Sequence, residues 1–163
     1  MKGIYLLLGS NLGNSKEILD HAVSEIEHDI GDIINTSSIY KTKAWGMEDQ
    51  PDFLNQVVEI ESSFSPEVLL EKVNKIEEKL GRVRLIKWQA RIIDIDILYY
   101  GNVIIKSKDL VIPHPENENR NFVLAPMAEI APDFIHPVLK LRQEKLLKNS
   151  TDDLAVDVID AGK

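Results

Sequence analysis

The chain has no cysteine among its 163 residues, and this absence removes three kinds of chemistry at once. A disulfide framework, a thiolate metal site and a cysteine nucleophile are all excluded. Any metal ion must therefore be held by oxygen ligands or by imidazole.

Long apolar runs are missing as well. No stretch of the sequence approaches the roughly 18 apolar residues of a membrane span, and no apolar signal segment stands near the N-terminus. We therefore expect a cytoplasmic protein with no membrane partner.

Positive charge is scarce, since the formal net charge is -8. A surface of that sign repels a phosphate backbone, so we expect no nucleic-acid partner. The exception is local: Arg82, Arg84, Lys87 and Arg91 lie in a ten-residue stretch that contains no acid. A small phosphate compound whose charge is masked by metal remains compatible with this composition.

What the chain does have is a regular succession of apolar patterns, and its 44% hydrophobic content fills one core. We predict a single domain over residues 1–163, with 151–163 as a candidate flexible tail. The patterns predict strands at 3–9, 32–41, 53–61 and 91–100, a small hairpin at 103–105 and 110–112, and helices at 14–30, 65–81, 121–130 and 139–148. The leading order, strand-helix-strand-strand-helix-strand, predicts an α+β fold: a ferredoxin-like antiparallel sheet with helices packed against it.

Capping residues mark the ends of the first two predicted helices. Asn14 and Glu17 are spaced like a capping pair, and Gly31 is expected to end the helix. Ser65-Pro66 supplies a cap and a proline at the first helical position of the next helix, which we expect Gly81 to close.

The stretch RIIDIDILYY at 91–100 looks like a buried strand, but two aspartates interrupt it. Side chains alternate along a strand, so Asp94 and Asp96 share one face, about 6.7 Å apart. At that distance two carboxylates repel by roughly 2 to 3 kcal/mol at an effective dielectric near 20. Pairing with a nearby arginine, or a wet edge strand, explains them as well as a metal site does. The acid-free basic stretch just before them favours magnesium and a polyphosphate.

Other polar residues fit the same hypothesis less specifically. Arg82 and Arg84 are two residues apart, so in an extended segment both side chains point to the same side and can bind phosphate. Phe53 and Asn55 offer an aromatic face and an amide suited to a heterocycle, although periodicity alone places Phe53 in the core. His114 lies between two prolines, where a plain turn is the simpler explanation.

Seven stretches taken in order resemble one family, 6-hydroxymethyl-7,8-dihydropterin pyrophosphokinase of the folate pathway. They are GSNLG at 9–13, SSIYKT at 37–42, DQPDFLNQVV at 49–58, GRVR at 81–84, RIIDIDIL at 91–98, VIPHP at 111–115 and NRNFVLAPMAEIAP at 119–132. Each stretch alone is weakly specific, whereas seven in register are highly specific.

The resemblance implies transfer of a diphosphate from ATP to the hydroxymethyl group of the dihydropterin, with release of AMP. It implies two magnesium ions held by Asp94 and Asp96, and it implies that Asp96 also lies near the attacking hydroxyl. It implies catalytic phosphate contacts from Arg82 and Arg91. The other ATP-binding positions that it implies are Glu77, Arg84, Lys87, Trp88, His114 and Arg120. The pterin-binding positions that it implies are Asn11, Thr42, Trp45, Phe53, Asn55 and Phe122.

Two rivals remain at this level. A different magnesium-dependent nucleotidyl or phosphoryl transferase on the same plan would also use Asp94, Asp96 and the arginines. The second alternative is a ferredoxin-like module that binds a small ligand or RNA. The acidic charge argues against RNA. We expect a monomer whose only partners are ATP and the hydroxymethyl dihydropterin.

Overall fold

The computed structural model describes residues 3–11, 14–42, 52–82, 93–153 and 155–160. Within them the strands are β1 (Ile4–Ser10), β2 (Asp32–Thr36), β3 (Ile39–Thr42), β4 (Phe53–Glu61), β5 (Asp94–Tyr100), β6 (Ile105–Lys106), β7 (Val111–Ile112) and β8 (Asp157–Asp160). The helices are α1 (Ser15–Asp29), α2 (Pro66–Arg82), α3 (Asn121–Ile130) and α4 (Gln143–Lys148), with a short 3-10 turn at Asn117–Asn119.

The main sheet has the strand order β5-β1-β4-β3-β8, and β2 also pairs with β4. Each of these pairs is antiparallel, and β1 and β4 are central. β6 and β7 form the predicted small hairpin. The arrangement confirms the ferredoxin-like α+β prediction.

The predicted strand over 32–41 is wrong in one respect, because it is two strands. At the break, the N–H of Val57 donates to the Ser37 hydroxyl at 2.9 Å, and the N–H of Ser37 donates to the Val57 carbonyl at 2.9 Å. A side chain thus replaces a main-chain acceptor, and β2 and β3 pair with different parts of β4.

The two faces of the sheet bury different sets of side chains. One face packs against α1 and α2 around fully buried residues such as Leu6, Ile26 and Ile60. The other carries a smaller cluster in which Tyr5, Leu7 and Tyr99 meet residues of α3. Burial raises the pKa of Tyr99 to about 12, and its hydroxyl accepts a hydrogen bond from Gln143 Nε2 at 3.1 Å.

The helix ends confirm one predicted cap and correct three details. Ser65 Oγ accepts the N–H of Val68 at 3.3 Å, as an N-cap should. Asn14 makes no side-chain cap bond. Gly31 does not act as a left-handed stop; a Cβ there would lie 2.1 Å from the Glu61 carbonyl oxygen, so the position needs glycine for close approach. α2 also continues one residue beyond Gly81, so Arg82 is helical rather than extended.

The C-terminal part differs most from the sequence-based assignment. The helix predicted over 139–148 begins only at Gln143, because 135–142 closes as a loop with a bridge from Ile135 to Arg142 and a positive φ at Lys140. Within the stretch proposed as a candidate tail, Asp157–Asp160 forms β8 and pairs with β3. None of the described helices is both long and apolar enough to cross a membrane.

Candidate active site

Asp94 and Asp96 lie on the face of β5 that is turned away from α1 and α2. The residues that alternate with them, Ile93, Ile95 and Ile97, are buried in the helix-side core. Asp94 is exposed and Asp96 is half-buried. The period of two therefore places both carboxylates where the sequence predicted, on one accessible face.

A bulge ends this regular alternation just beyond Asp96. β5 shifts register against β1 at Tyr5/Leu6, which leaves Leu98 as the extra residue. The Leu98 carbonyl accepts the N–H of His114 at 3.0 Å and Asn117 Nδ2 at 2.9 Å. The bulge thereby ties the His114 loop to the strand two residues after Asp96.

Glu77 fixes the free edge of β5. Its Oε2 accepts the N–H of Ile95 at 2.7 Å, between the two aspartates in sequence. β5 is the outer strand of the sheet, so among the described strands this N–H has no partner. A carboxylate from α2 therefore holds the strand segment on which Asp94 and Asp96 stand.

A row of aligned residues crosses the sheet from Asp94 to Asn55, one of the positions that the resemblance implied for the pterin. The register aligns Asp94 with Gly9, Gly9 with Asn55, and Asn55 with Tyr40. Gly9 has no side chain, so none stands between the aspartate and the amide in this row. A Cβ at Gly9 would lie 2.9 Å from Asn55 Oδ1, which shows that the amide lies over Gly9.

Asn55 is buried, with 5% of its surface exposed. Its Nδ2 lies 3.5 Å from Thr42 Oγ1, a weak hydrogen bond at most. Asn11, one residue beyond β1, is buried at 6% exposure. Three positions that the resemblance implied for the pterin, Asn11, Thr42 and Asn55, thus lie at one end of the central strands.

The two phenylalanines that the resemblance implied for the pterin stand on different elements. Phe53 pairs with Thr42, is half-buried and belongs to neither described core cluster, so the periodicity argument that placed it in the core does not hold. Phe122, in the first turn of α3, is half-buried against the second cluster. The Arg120 guanidinium lies 4.8 Å from the centre of the Phe122 ring.

His114 and Arg120 form the third side of the site. Arg120 Nη2 lies 3.5 Å from His114 Nδ1. Burial is the main cause that lowers the pKa of His114 below its ordinary value; the Asp96 carboxylate opposes this shift, and Arg120 adds to it. Over the described ranges, the buried Arg120 Nε has no hydrogen-bond partner.

Comparison with known proteins identifies the family. The profile described as 7,8-dihydro-6-hydroxymethylpterin-pyrophosphokinase (HPPK) matches residues 5–132. A 2-amino-4-hydroxy-6-hydroxymethyldihydropteridine pyrophosphokinase of Haemophilus influenzae is 44% identical over 149 residues, which cover 91% of this chain and 92% of the relative. The chain belongs to the HPPK family.

Other HPPK relatives agree. The Bacillus subtilis enzyme of the same name is 44% identical over 127 residues, covering 77% of this chain and 76% of the relative. A crystal structure of wild-type Plasmodium falciparum HPPK-DHPS superposes with a TM-score of 0.74 at 19% identity. It covers 89% of this chain, which spans only 44% of that longer chain, and this likeness concerns the fold alone.

Several positions implied by the HPPK resemblance lie outside the described residues: Trp45, Arg84, Lys87, Trp88 and Arg91. Arg82 is placed as the last residue of α2. In the described ranges no group of three or more histidine, aspartate or glutamate side chains is arranged to hold a metal ion.

Sequence reasoning missed three residues that connect the elements carrying the candidate site residues. Asn117 is fully buried and ties its loop to β5, and Glu129 bonds α3 to β3. Asp152 accepts the N–H of Asn121 at the start of α3. Asn117 could have been suspected from its position between two glutamates in a loop, whereas Glu129 and Asp152 act over long sequence separations that leave no local signal.

Proposed function

We propose that Asp94 and Asp96 form the metal- and phosphate-binding centre for the reaction of this HPPK family member. The chain transfers a diphosphate group from ATP to the hydroxymethyl group of 6-hydroxymethyl-7,8-dihydropterin in folate biosynthesis, and AMP is released. The observation that supports the site is the row Asp94, Gly9, Asn55, in which an exposed carboxylate faces a buried amide across a glycine.

The reaction forms one bond and breaks one. The hydroxymethyl oxygen of the pterin attacks the β-phosphorus of ATP, and the bond from that phosphorus to the oxygen bridging the α-phosphate breaks. AMP leaves with the bridging oxygen, the hydroxyl proton is lost, and the β- and γ-phosphates remain on the pterin. Since the acceptor and the phosphate chain must meet in line, the rigidity of β5 and its neighbours contributes directly to positioning.

The residues present fit a magnesium site. Asp94 and Asp96 supply hard oxygen ligands on one face of a strand whose free edge is fixed by Glu77. Two magnesium ions are proposed, and when bound they would neutralise phosphate charge and hold the oxygens in place. The rigid strand orients both carboxylates before any ligand arrives.

The nucleotide is proposed to lie on the side of the two aspartates that faces His114 and Arg120. A phosphate oxygen would satisfy the buried Arg120 Nε, which has no partner in the described structure. The lowered pKa of His114 leaves a neutral imidazole at neutral pH, able to donate through one ring nitrogen while the other accepts. The remaining proposed ATP-binding residues are Glu77, Arg82, Arg84, Lys87, Trp88 and Arg91.

The pterin is proposed to lie over Gly9, with its hydroxymethyl group toward Asp96. The Asn55 amide offers a donor and an acceptor to the heterocycle, and Phe53 and Phe122 offer ring faces. Asn11, Thr42 and Trp45 complete the proposed pocket. The cytoplasmic location and the monomeric state remain predictions from the sequence.

One product assay tests the reaction together with its site. The protein is incubated with ATP, magnesium and 6-hydroxymethyl-7,8-dihydropterin, and the nucleotide products are separated. We expect AMP in equal amount to the pyrophosphorylated pterin, and no AMP when magnesium is removed by a chelator. Asp109→Ala, at an exposed position away from the site, serves as the control for Asp96→Ala.

The rivals give different results in this assay. ADP or free pyrophosphate in place of AMP would indicate another phosphoryl or nucleotidyl transferase. Binding of ATP without magnesium and without turnover would indicate a passive module, which calorimetry with and without the metal detects. Normal AMP release by Asp96→Ala would support the proposed reaction and contradict the proposed role of the aspartates in it.

A further inference from the structure

The segment after α4 returns to the start of α3, next to the proposed pterin pocket. The N–H of Asn121 donates to Asp152 Oδ2 at 2.8 Å, and Asn121 Nδ2 donates to the Asp152 carbonyl at 3.1 Å. Asn121 is the first residue of α3, and Phe122 follows it directly. Two hydrogen bonds that Asn121 donates to one distant residue therefore fix its backbone and its side chain, directly before Phe122.

α3 lacks a cap from the chain that leads into it. Arg120 occupies the N-cap position with extended backbone and makes no side-chain cap bond. The first N–H groups of a helix have no partner within the helix, and a carboxylate at this end also interacts favourably with the helix dipole. Asp152 supplies from outside what the local sequence does not.

The far end of α3 is held independently. Glu129 accepts the N–H of Ser38 at 3.0 Å and the Tyr40 hydroxyl at 2.8 Å, which ties the last turn of the helix to β3. Loss of the Asp152 contacts should therefore free the first turn, where Phe122 lies, and leave the last turn in place.

The same C-terminal stretch also supports the opposite side of the pocket. β8 pairs with β3, with Asp157 opposite Lys41 and Val158 opposite Tyr40. β3 in turn aligns Thr42 with Phe53. Ser150 Oγ accepts the N–H of Asp152 at 3.2 Å and fixes the turn from which the carboxylate projects.

We propose that Asp152 is a positioning residue for pterin binding that acts through Phe122. The inference rests on the proposed function, because it takes Phe122 as a stacking face for the pterin. It goes beyond the family assignment, whose profile matches residues 5–132 and ends before Asp152. Asp152 does not touch the substrate; it sets the direction of the first turn of α3, and hence of the ring.

The test compares two dissociation constants in three variants. Calorimetry measures the dissociation constant of 6-hydroxymethyl-7,8-dihydropterin and that of a magnesium complex of a non-hydrolysable ATP analogue. For Asp152→Ala we expect the pterin constant to rise about tenfold and the nucleotide constant to stay within about twofold. Asp152→Asn keeps an acceptor oxygen and should recover most of the affinity. Asp153→Ala, which removes a neighbouring exposed carboxylate, should match the wild type.

A double-mutant cycle separates positioning from a general effect on stability. If Asp152 acts through the ring, Asp152→Ala should have no further effect on pterin affinity in a Phe122→Ala background. Additive losses in the cycle, an equal rise in both dissociation constants, or an unchanged pterin constant in Asp152→Ala would each overturn the proposal. Should Asp152→Ala fail to fold, Asn121→Ala, which removes only the 3.1 Å bond, carries the same cycle.

The wild type tells the two failures apart. Wild-type protein that binds the pterin and releases AMP, beside an unaffected Asp152→Ala, overturns the positioning role alone. Wild-type protein that does not bind the pterin overturns the proposed function and this inference together.

Discussion

The two faces of the central sheet are made by the same strands and yet serve different purposes. The face toward α1 and α2 is lined by aliphatic side chains, many of them with no exposed surface. The opposite face is apolar only under α3 and becomes polar at one end, where Asp94, Gly9 and Asn55 align. Stability is concentrated on the helix face and the proposed chemistry on the open face, so mutations on the two faces should have separable effects.

The largest expected effect is on the open face. Asp94→Ala or Asp96→Ala should lower turnover by about a thousandfold or more, because phosphate charge would lose its metal-binding carboxylates. The melting temperature without metal should stay the same or rise, since one member of a like-charged pair is removed. Steady-state kinetics and thermal melting measure both. A marked drop in melting temperature would instead mean that the carboxylate serves as a structural ion pair.

The helix face should give the opposite result. Ile26 has no exposed surface and lies in the helix-side cluster, so Ile26→Ala should cost about 2 to 5 kcal/mol of unfolding free energy. For a chain of this size, that lowers the melting temperature by roughly 5 to 20 °C. Turnover per folded molecule should be kept at low temperature.

The matched control for that change is Ile34→Ala. Ile34 is exposed on β2, so the same truncation there should change the unfolding free energy by less than about 0.5 kcal/mol. Denaturant titration of both variants provides the comparison. Loss of turnover in folded Ile26→Ala would show that the two faces are coupled after all.

Gly9→Ala tests the boundary where the polar end of the open face begins. The new Cβ would lie 2.9 Å from Asn55 Oδ1, and the amide, as the end of a side chain, should move rather than the strand. Pterin affinity should then fall about tenfold, since the heterocycle loses correctly placed hydrogen-bond partners. Affinity for the nucleotide analogue should change little. Calorimetry with each ligand separately measures both effects.

Gly81→Ala is the control for this substitution. Among the described residues, a Cβ at Gly81 has no neighbour within 4 Å, and the glycine lies near the end of α2. Pterin affinity should not change, and the helix should gain about 0.5 to 1 kcal/mol from the better helix former. An equal loss of pterin affinity in both variants would rule out the steric account of Gly9.

The contrast between the faces also explains what the sequence could predict. The buried helix face could be predicted from periodicity. Aliphatic residues recur at every second position of the strands and at helical spacing in the helices, which marks one side of each element as buried. The same period of two predicted that Asp94 and Asp96 share one face of β5, whereas for Phe53 it favoured the core, and that residue belongs to neither described cluster. Chain order and periodicity together were enough for the ferredoxin-like arrangement.

What could not be predicted depends on contacts that are distant in sequence or on single atoms. The Asp152 cap spans 31 residues, and no local pattern marks it. The division of 32–41 into two strands depends on one serine hydroxyl replacing a main-chain acceptor. β8 has only four residues, too few for alternation to identify it as a strand.

The smallest expected effect concerns pH, and it should again distinguish the faces. The pKa of His114 is lowered in the folded protein, chiefly by burial and with Arg120 adding to the shift, although Asp96, Glu116 and Glu118 oppose it. The folded state thus favours the neutral imidazole. The stabilisation is complete above the ordinary histidine pKa of about 6.5 and is lost as the pH falls through the lower folded value.

Melting temperatures between pH 7.5 and pH 5 should therefore decline, and His114→Gln should flatten part of that decline. His136, whose pKa burial also lowers, accounts for a further part with the same sign and keeps the slope from vanishing. Ile26→Ala, although far less stable, should keep the wild-type slope, because it alters packing on the face away from both imidazoles. If His114→Gln and the wild type had identical slopes, the imidazole would not be held neutral by the fold, and the argument that it meets the nucleotide uncharged would lose its basis.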